Sequence, residues 1–173
     1  DAMALGTVYG RVVENYFLHV VLGLKFKPDR RLAEDINSAV LQWIERDPGR
    51  PFLAFLNYFD VHDPYVPPQP YRSMFSELEK PGGLINTTWD MEHIYVPMTP
   101  EQLQSEIDAY DGCIAYVDDQ IRQLLTELRN RALSEDTLII VTSDHGESFG
   151  EHGLLHHANS LYREAIHVPL ILW

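Results

Sequence analysis

The 173 residues are 45% hydrophobic and 23% charged, and 13 Lys and Arg against 26 Asp and Glu leave a net charge of −13. That apolar share is enough for a core and excludes disorder as the main state, while the excess of carboxylates argues against a nucleic-acid partner. A single Cys excludes a disulfide framework or Cys-rich zinc module, and the carboxylates with eight His are compatible with a metal host.

At roughly 100–200 residues per domain, the length suggests one domain. Residues 5–24 are expected to form a helix with loose boundaries. Within it, Tyr16–Leu24 is the most apolar run, too short for the roughly 18 residues of a membrane span. His19, with no basic start or cleavage site, excludes a signal peptide. A second helix is expected with Asp29 as its cap, because Leu32, Ile36, Val40, Trp43 and Ile44 recur at helical spacing. Asp47-Pro48-Gly49 should end it.

Pro51–Asn57 is a continuous apolar run, the pattern of a strand covered on both faces in a parallel sheet. It leads into Asp60–Pro70, where four prolines forbid regular structure. Residues 71–98 read as a long irregular excursion with weak helical content at Met74–Leu78. Asn86-Thr87-Thr88 is a glycosylation triplet of a kind that also arises by chance.

Thr99-Pro100-Glu101-Gln102 predicts a capped helix start. Leu103, Ile107, Tyr110, Ile114, Val117, Ile121, Leu124 and Leu128 then form one stripe, expected to face a core through to about Ala132. Glu106, Asp108, Asp111, Asp118 and Asp119 are assigned to the solvent side. Thr137–Thr142 and Val168–Trp173 read as further strands, separated by a polar loop, Ser143–Gly153, with three glycines. The order of elements is that of an α/β protein with a mainly parallel sheet.

Ligands of open α/β sheets bind at the carboxyl ends of strands. Asp60, His62 and Asp63 follow one expected strand end, and Asp144, His145 and Glu147 follow another. Asp144 and His145 could turn toward one cation, since Gly146 frees the backbone, or could be a turn cap beside a surface His. His62 suits either a general acid or a brace of the Pro-rich loop. His157 could neutralise an anionic substrate or be half of an exposed His pair. His152 is expected only to order its glycine-rich loop.

TLIIVTSDHGESFGEHGLLHHANSLYREAIHVPLILW (137–173), PFLAFLNYFDVHDPYVPP (51–68) and YDGCIAYVDDQIRQLL (110–125) resemble the sulfatase family of the alkaline-phosphatase-like superfamily. The resemblance implies a partial three-layer α/β/α sandwich with a mainly parallel sheet. It makes residues 1–173 the central part of one catalytic domain, incomplete at both ends. Asp144 and His145 fall on the family's late pair of metal ligands, where many members have Asp-Asn. His62 and His157 fall on positions that contact the sulfuryl group or the leaving oxygen. Calcium is the implied cation, with manganese or zinc admitted by the imidazole.

The family's early Asp-Asp ligands and its Cys- or Ser-x-Pro-x-Arg nucleophile segment are not matched. A formylglycine is therefore expected upstream, and no turnover is expected of the 173 residues alone. Cys113 reads as a small core residue.

The implied activity is metal-dependent hydrolysis of a small-molecule or glycan sulfate ester, with a periplasmic, secreted or membrane-anchored setting favoured by the family. One alternative is a phosphodiester or phosphonate monoester hydrolase, or a phosphoglycol or phosphoethanolamine transferase, of the same superfamily. Another is a non-catalytic acidic binding domain.

Overall fold

The computed structural model describes residues 31–78, 81–82 and 98–173. The expected helix at 5–24, the Asp29 cap and the Asn86 triplet lie outside them. The first described helix, α1, is Ala33–Glu45, and it ends where expected, with Gly49 in the left-handed region at φ 86°. Its leading residue, Leu32, has no capping side chain. The free amides at its start are instead met from elsewhere in the chain. Ala33 N–H donates to Asp60 Oδ1 at 3.2 Å, and Glu34 N–H to the Tyr116 hydroxyl at 3.4 Å.

Helix α2, Pro100–Asn130, starts with the expected capping box. Gln102 N–H donates to Thr99 Oγ1 at 3.3 Å, and Thr99 N–H to Gln102 Oε1 at 2.9 Å. Its buried face is not the expected apolar stripe. Ser105, Glu106, Ala109, Gly112, Cys113, Tyr116, Gln120 and Leu128 are buried, whereas Ile114 is exposed. Glu106, assigned to solvent from its charge, has no exposed surface.

The reason is close packing of the Pro-rich segment on small residues. A β-carbon on Gly112 would stand 2.6 Å from the Tyr71 carbonyl oxygen and 3.0 Å from Pro67 Cγ. Cys113 joins Ala109 and Tyr65 in the central cluster, flanked by Val61, Met98, Tyr110 and Phe149. The two helices are tied by a polar network as well as by contact. The Asn37 side chain donates from Nδ2 to the Gln120 carbonyl at 2.9 Å and accepts at Oδ1 from the Tyr58 hydroxyl at 2.6 Å. Burial pushes the Tyr58 hydroxyl up to about 12, with a smaller contribution from the Asp60 charge.

Two expected elements, a strand and a helix, are corrected. Pro51–Asn57 forms no ladder with any described residue, since a strand needs a neighbour to complete its backbone bonds. Phe52 meets Trp43 of α1 edge to face at 6.0 Å, while Leu53 and Phe55 are 94% and 91% exposed. The weak helical content expected at Met74–Leu78 is instead a 3₁₀ turn at Tyr71–Ser73.

The two described ladders are antiparallel. Strand β1, Ile140–Thr142, pairs with the last strand, Leu170–Leu172, in the register Val141↔Ile171. Bonds in both directions between Ile139 and Trp173, at 2.8 and 2.9 Å, prolong that pair. Between them lie β2, Ser148–Phe149, and β3, Leu155–His156, which form a small hairpin, and then α3, Arg163–Ile166. The last strand is therefore β4. Among the described residues, no helix is long and apolar enough to cross a membrane.

Candidate active site

The loop after β1 and the loop after residues 51–59 meet. The His145 and His157 rings stack at 3.9 Å with an interplanar angle of 18°. The His62 ring stands edge-on to His157 at 5.1 Å and lies 6.3 Å from His145. Three imidazoles from positions as distant as 62 and 157 thus share one space.

Each ring is oriented by a neighbour at Nδ1. For His145 the neighbour is the Gly146 carbonyl, 2.8 Å away. A carbonyl only accepts, so Nδ1 carries the proton and the neutral ring keeps its lone pair on Nε2. That Nε2 is 3.7 Å from Asp144 Oδ1, and the Asp144 side chain is 91% exposed. A carboxylate oxygen and an imidazole nitrogen at this separation can touch one divalent ion, so the pair fits such a group. Among the described residues, no set of three or more His, Cys, Asp or Glu forms a metal cluster.

His62 Nδ1 lies 2.5 Å from Oδ1 of Asp63, a residue with no exposed surface, and its ring stacks on Phe59 at 4.3 Å. The other Asp63 oxygen is 3.6 Å from His156 Nδ1. His157 Nδ1 is 3.2 Å from both oxygens of Glu147, a buried side chain that also accepts from the Tyr65 hydroxyl at 2.8 Å. Burial, reinforced by the Glu147 charge, holds the Tyr65 phenol far above its ordinary range, so it remains a donor.

The sequence places Asp63 and Glu147 at this edge without assigning either to a particular ring, and it gives Tyr65 no role. A carboxylate beside each His-bearing loop was the available signal, but which ring it holds depends on the fold. His152 lies at the glycine-rich loop, with φ 57°, its ring stacked on Tyr162 at 3.8 Å and its Nε2 3.6 Å from Glu164.

The fold is that of an alkaline-phosphatase-like α/β protein. A structure of the putative sulfatase yidJ from Bacteroides fragilis superposes with a TM-score of 0.63 at 24% identity, over 81% of this chain and 30% of that one. The phosphonate monoester hydrolase of Agrobacterium radiobacter superposes with a TM-score of 0.64 at 26% identity, over 79% of this chain and 31% of that one.

The Sulfatase family model matches residues 5–173, and the chain belongs to that family. Among relatives, the multifunctional alkaline phosphatase superfamily protein PehA of Trinickia caryophylli is 27% identical over 89% of this chain and 35% of its own length. The human iduronate 2-sulfatase is 28% identical over 84% of this chain and 30% of its own. The chain thus spans about a third of the length of these relatives.

Proposed function

We propose that the protein carrying this chain hydrolyses a small-molecule or glycan sulfate ester with the help of a divalent cation. The observation that carries the reading is the meeting of His62, His145 and His157 beside an exposed carboxylate, with ring separations of 3.9 to 6.3 Å. Such a surface suits an anionic group and its leaving oxygen. Asp144 and His145 would hold the cation, calcium first and manganese or zinc next. A cation bound there supplies charge neutralisation for sulfuryl oxygens and for the nucleophile.

The chain's own residues have separable tasks in this reading. His62, held at Nδ1 by Asp63, protonates the leaving alcohol from its other nitrogen. His157 donates to the sulfuryl oxygens. Cys113 is fully buried in the core and takes no part. The nucleophile is assigned to a formylglycine outside these 173 residues, so the 173 residues by themselves should not turn over substrate.

A second reading puts phosphorus in place of sulfur. It is favoured by the Asp144-His145 pair and by similarity to two solved phosphonate monoester hydrolases, from Agrobacterium radiobacter and Silicibacter pomeroyi.

The test assays the full-length protein with an aryl sulfate, an aryl phosphonate monoester and a diaryl phosphodiester. Each assay follows chelation and then return of calcium, manganese or zinc. Cation-dependent turnover with the sulfate preferred is expected, and Asp144→Ala should lose both turnover and cation affinity. Preference for either phosphorus ester selects the second reading. Unchanged affinity in Asp144→Ala removes the ligand assignment. Cation binding without turnover of any ester would make this a binding domain.

A further inference from the structure

We propose that Glu147 is a positioning residue for His157, fixing its ring through Nδ1 while Tyr65 clamps the carboxylate. The inference rests on the proposed function in one respect, that His157 is the group which meets the substrate.

The local backbone does little to aim this ring. His156 and Ala158, on either side of His157, both adopt left-handed conformations, with φ of 67° and 64°. Regular structure ends at β3, one residue earlier. What brings the ring and the acid together is the hairpin. Ser148 pairs with His156, so Glu147 and His157 flank the same end of the β2–β3 ladder.

There both Glu147 oxygens lie 3.2 Å from His157 Nδ1. A carboxylate only accepts, so Nδ1 must donate and Nε2 is left for other work. The ring is then held on three sides: by Glu147 at Nδ1, by His145 on its face at 3.9 Å, and by His62 at 5.1 Å.

The acid is itself immobilised. Its side chain is 5% exposed, and Oε2 accepts at 2.8 Å from Tyr65, a core residue with no exposed surface. Tyr65 packs on Tyr110 at 5.2 Å and on Phe149 at 5.7 Å, which fixes where its hydroxyl can reach. A carboxylate buried this deeply costs stability unless its oxygens are satisfied, and its two partners here are the phenol and the imidazole. An apolar side chain would fill the space without aiming His157.

The test reads the ring directly in the full-length protein labelled with ¹⁵N-histidine, the His157 signals being identified by their loss in His157→Gln. Wild type should show His157 protonated at Nδ1, and Glu147→Ala should move its neutral ring toward the Nε2-protonated tautomer. On esters that wild type turns over, Glu147→Gln should lower kcat by about tenfold or more with KM within about threefold, the scale on which orienting partners act. Tyr65→Phe should give a smaller loss in the same direction.

A merely space-filling role predicts wild-type kcat in Glu147→Gln, and that result would overturn the proposal. So would an unchanged His157 tautomer in a folded Glu147→Ala protein. If Glu147→Ala does not fold, Tyr65→Phe and Glu147→Gln decide by the same two readings. Lack of turnover by wild type would remove the proposed activity, and the tautomer would still decide whether Glu147 aims the ring.

Discussion

The amide of Gly146 donates to the Ala165 carbonyl at 2.8 Å, and the Glu164 carbonyl oxygen lies 2.0 Å from where a β-carbon on Gly146 would stand. The loop bearing Asp144 and His145 is therefore pressed backbone to backbone against α3. Gly146 is needed there for space, because the atom it approaches is a main-chain carbonyl with no rotamer to yield. The same residue offers its own carbonyl to His145 Nδ1.

Gly146→Ala should accordingly destabilise the protein by about 1–3 kcal/mol, the usual cost of forcing an extra carbon into a closed contact. Because the loop must shift, cation affinity should fall as well. Urea unfolding and calorimetric titration with calcium, manganese and zinc check the two effects. An unchanged unfolding midpoint would show that the contact with α3 yields without cost.

Gly112→Ala sets helix propensity against packing. In a free helix the change would gain about 1 kcal/mol. Here the new carbon would meet the Tyr71 carbonyl oxygen at 2.6 Å and Pro67 Cγ at 3.0 Å. Loss of stability, measured by denaturant midpoint, is the expected sign. A gain would mean that the 60–73 segment is held only weakly on α2.

Asp119 gives a pH signature. Hydrogen bonds from Arg122 first, then Tyr71 and Gln123, lower its carboxyl from 3.8 to about 2. A group depressed on folding contributes stability that is fully present above its unfolded pKa and is lost as pH falls through its folded value. The loss should therefore run from about pH 4 down to about 2. Asp119→Asn should be less stable than wild type at neutral pH, with the difference shrinking over that interval. Denaturant midpoints from pH 2 to 6 measure it, and parallel profiles for the two proteins would remove the assignment.

Local chemistry was legible in the chain. The Thr99–Gln102 capping box is written within four residues and forms as read, with both reciprocal bonds in place. The turn that follows α1 is equally local, with Gly49 of Asp47-Pro48-Gly49 at a φ of 86°. The burial of Cys113 was also readable from its type and its place on a helix.

The buried face of α2 was not. Counting apolar residues selected Ile107, Ile114 and Val117, whereas the loop at Pro67–Tyr71 packs on the small residues of another face. The cap of α1 escaped notice because it comes from Asp60, 27 positions away.

The candidate site divides in the same way. Asp144, His145, His62 and His157 stand out in sequence because their motifs are contiguous. Their supports do not, since Tyr65 reaches Glu147 across 82 positions and no spacing rule links them.

By itself the sequence determined where the two long helices lie, the capping box of α2, the loops that carry His and Asp, the acidic balance and the family motifs. Only the tertiary structure decided which face of α2 is buried, that β1 pairs antiparallel with β4, and which carboxylate holds which imidazole. The reason is range: the capping box of α2 and the turns are settled by atoms a few residues apart, while the cap of α1, burial and the orientation of a ring depend on partners that only folding brings together.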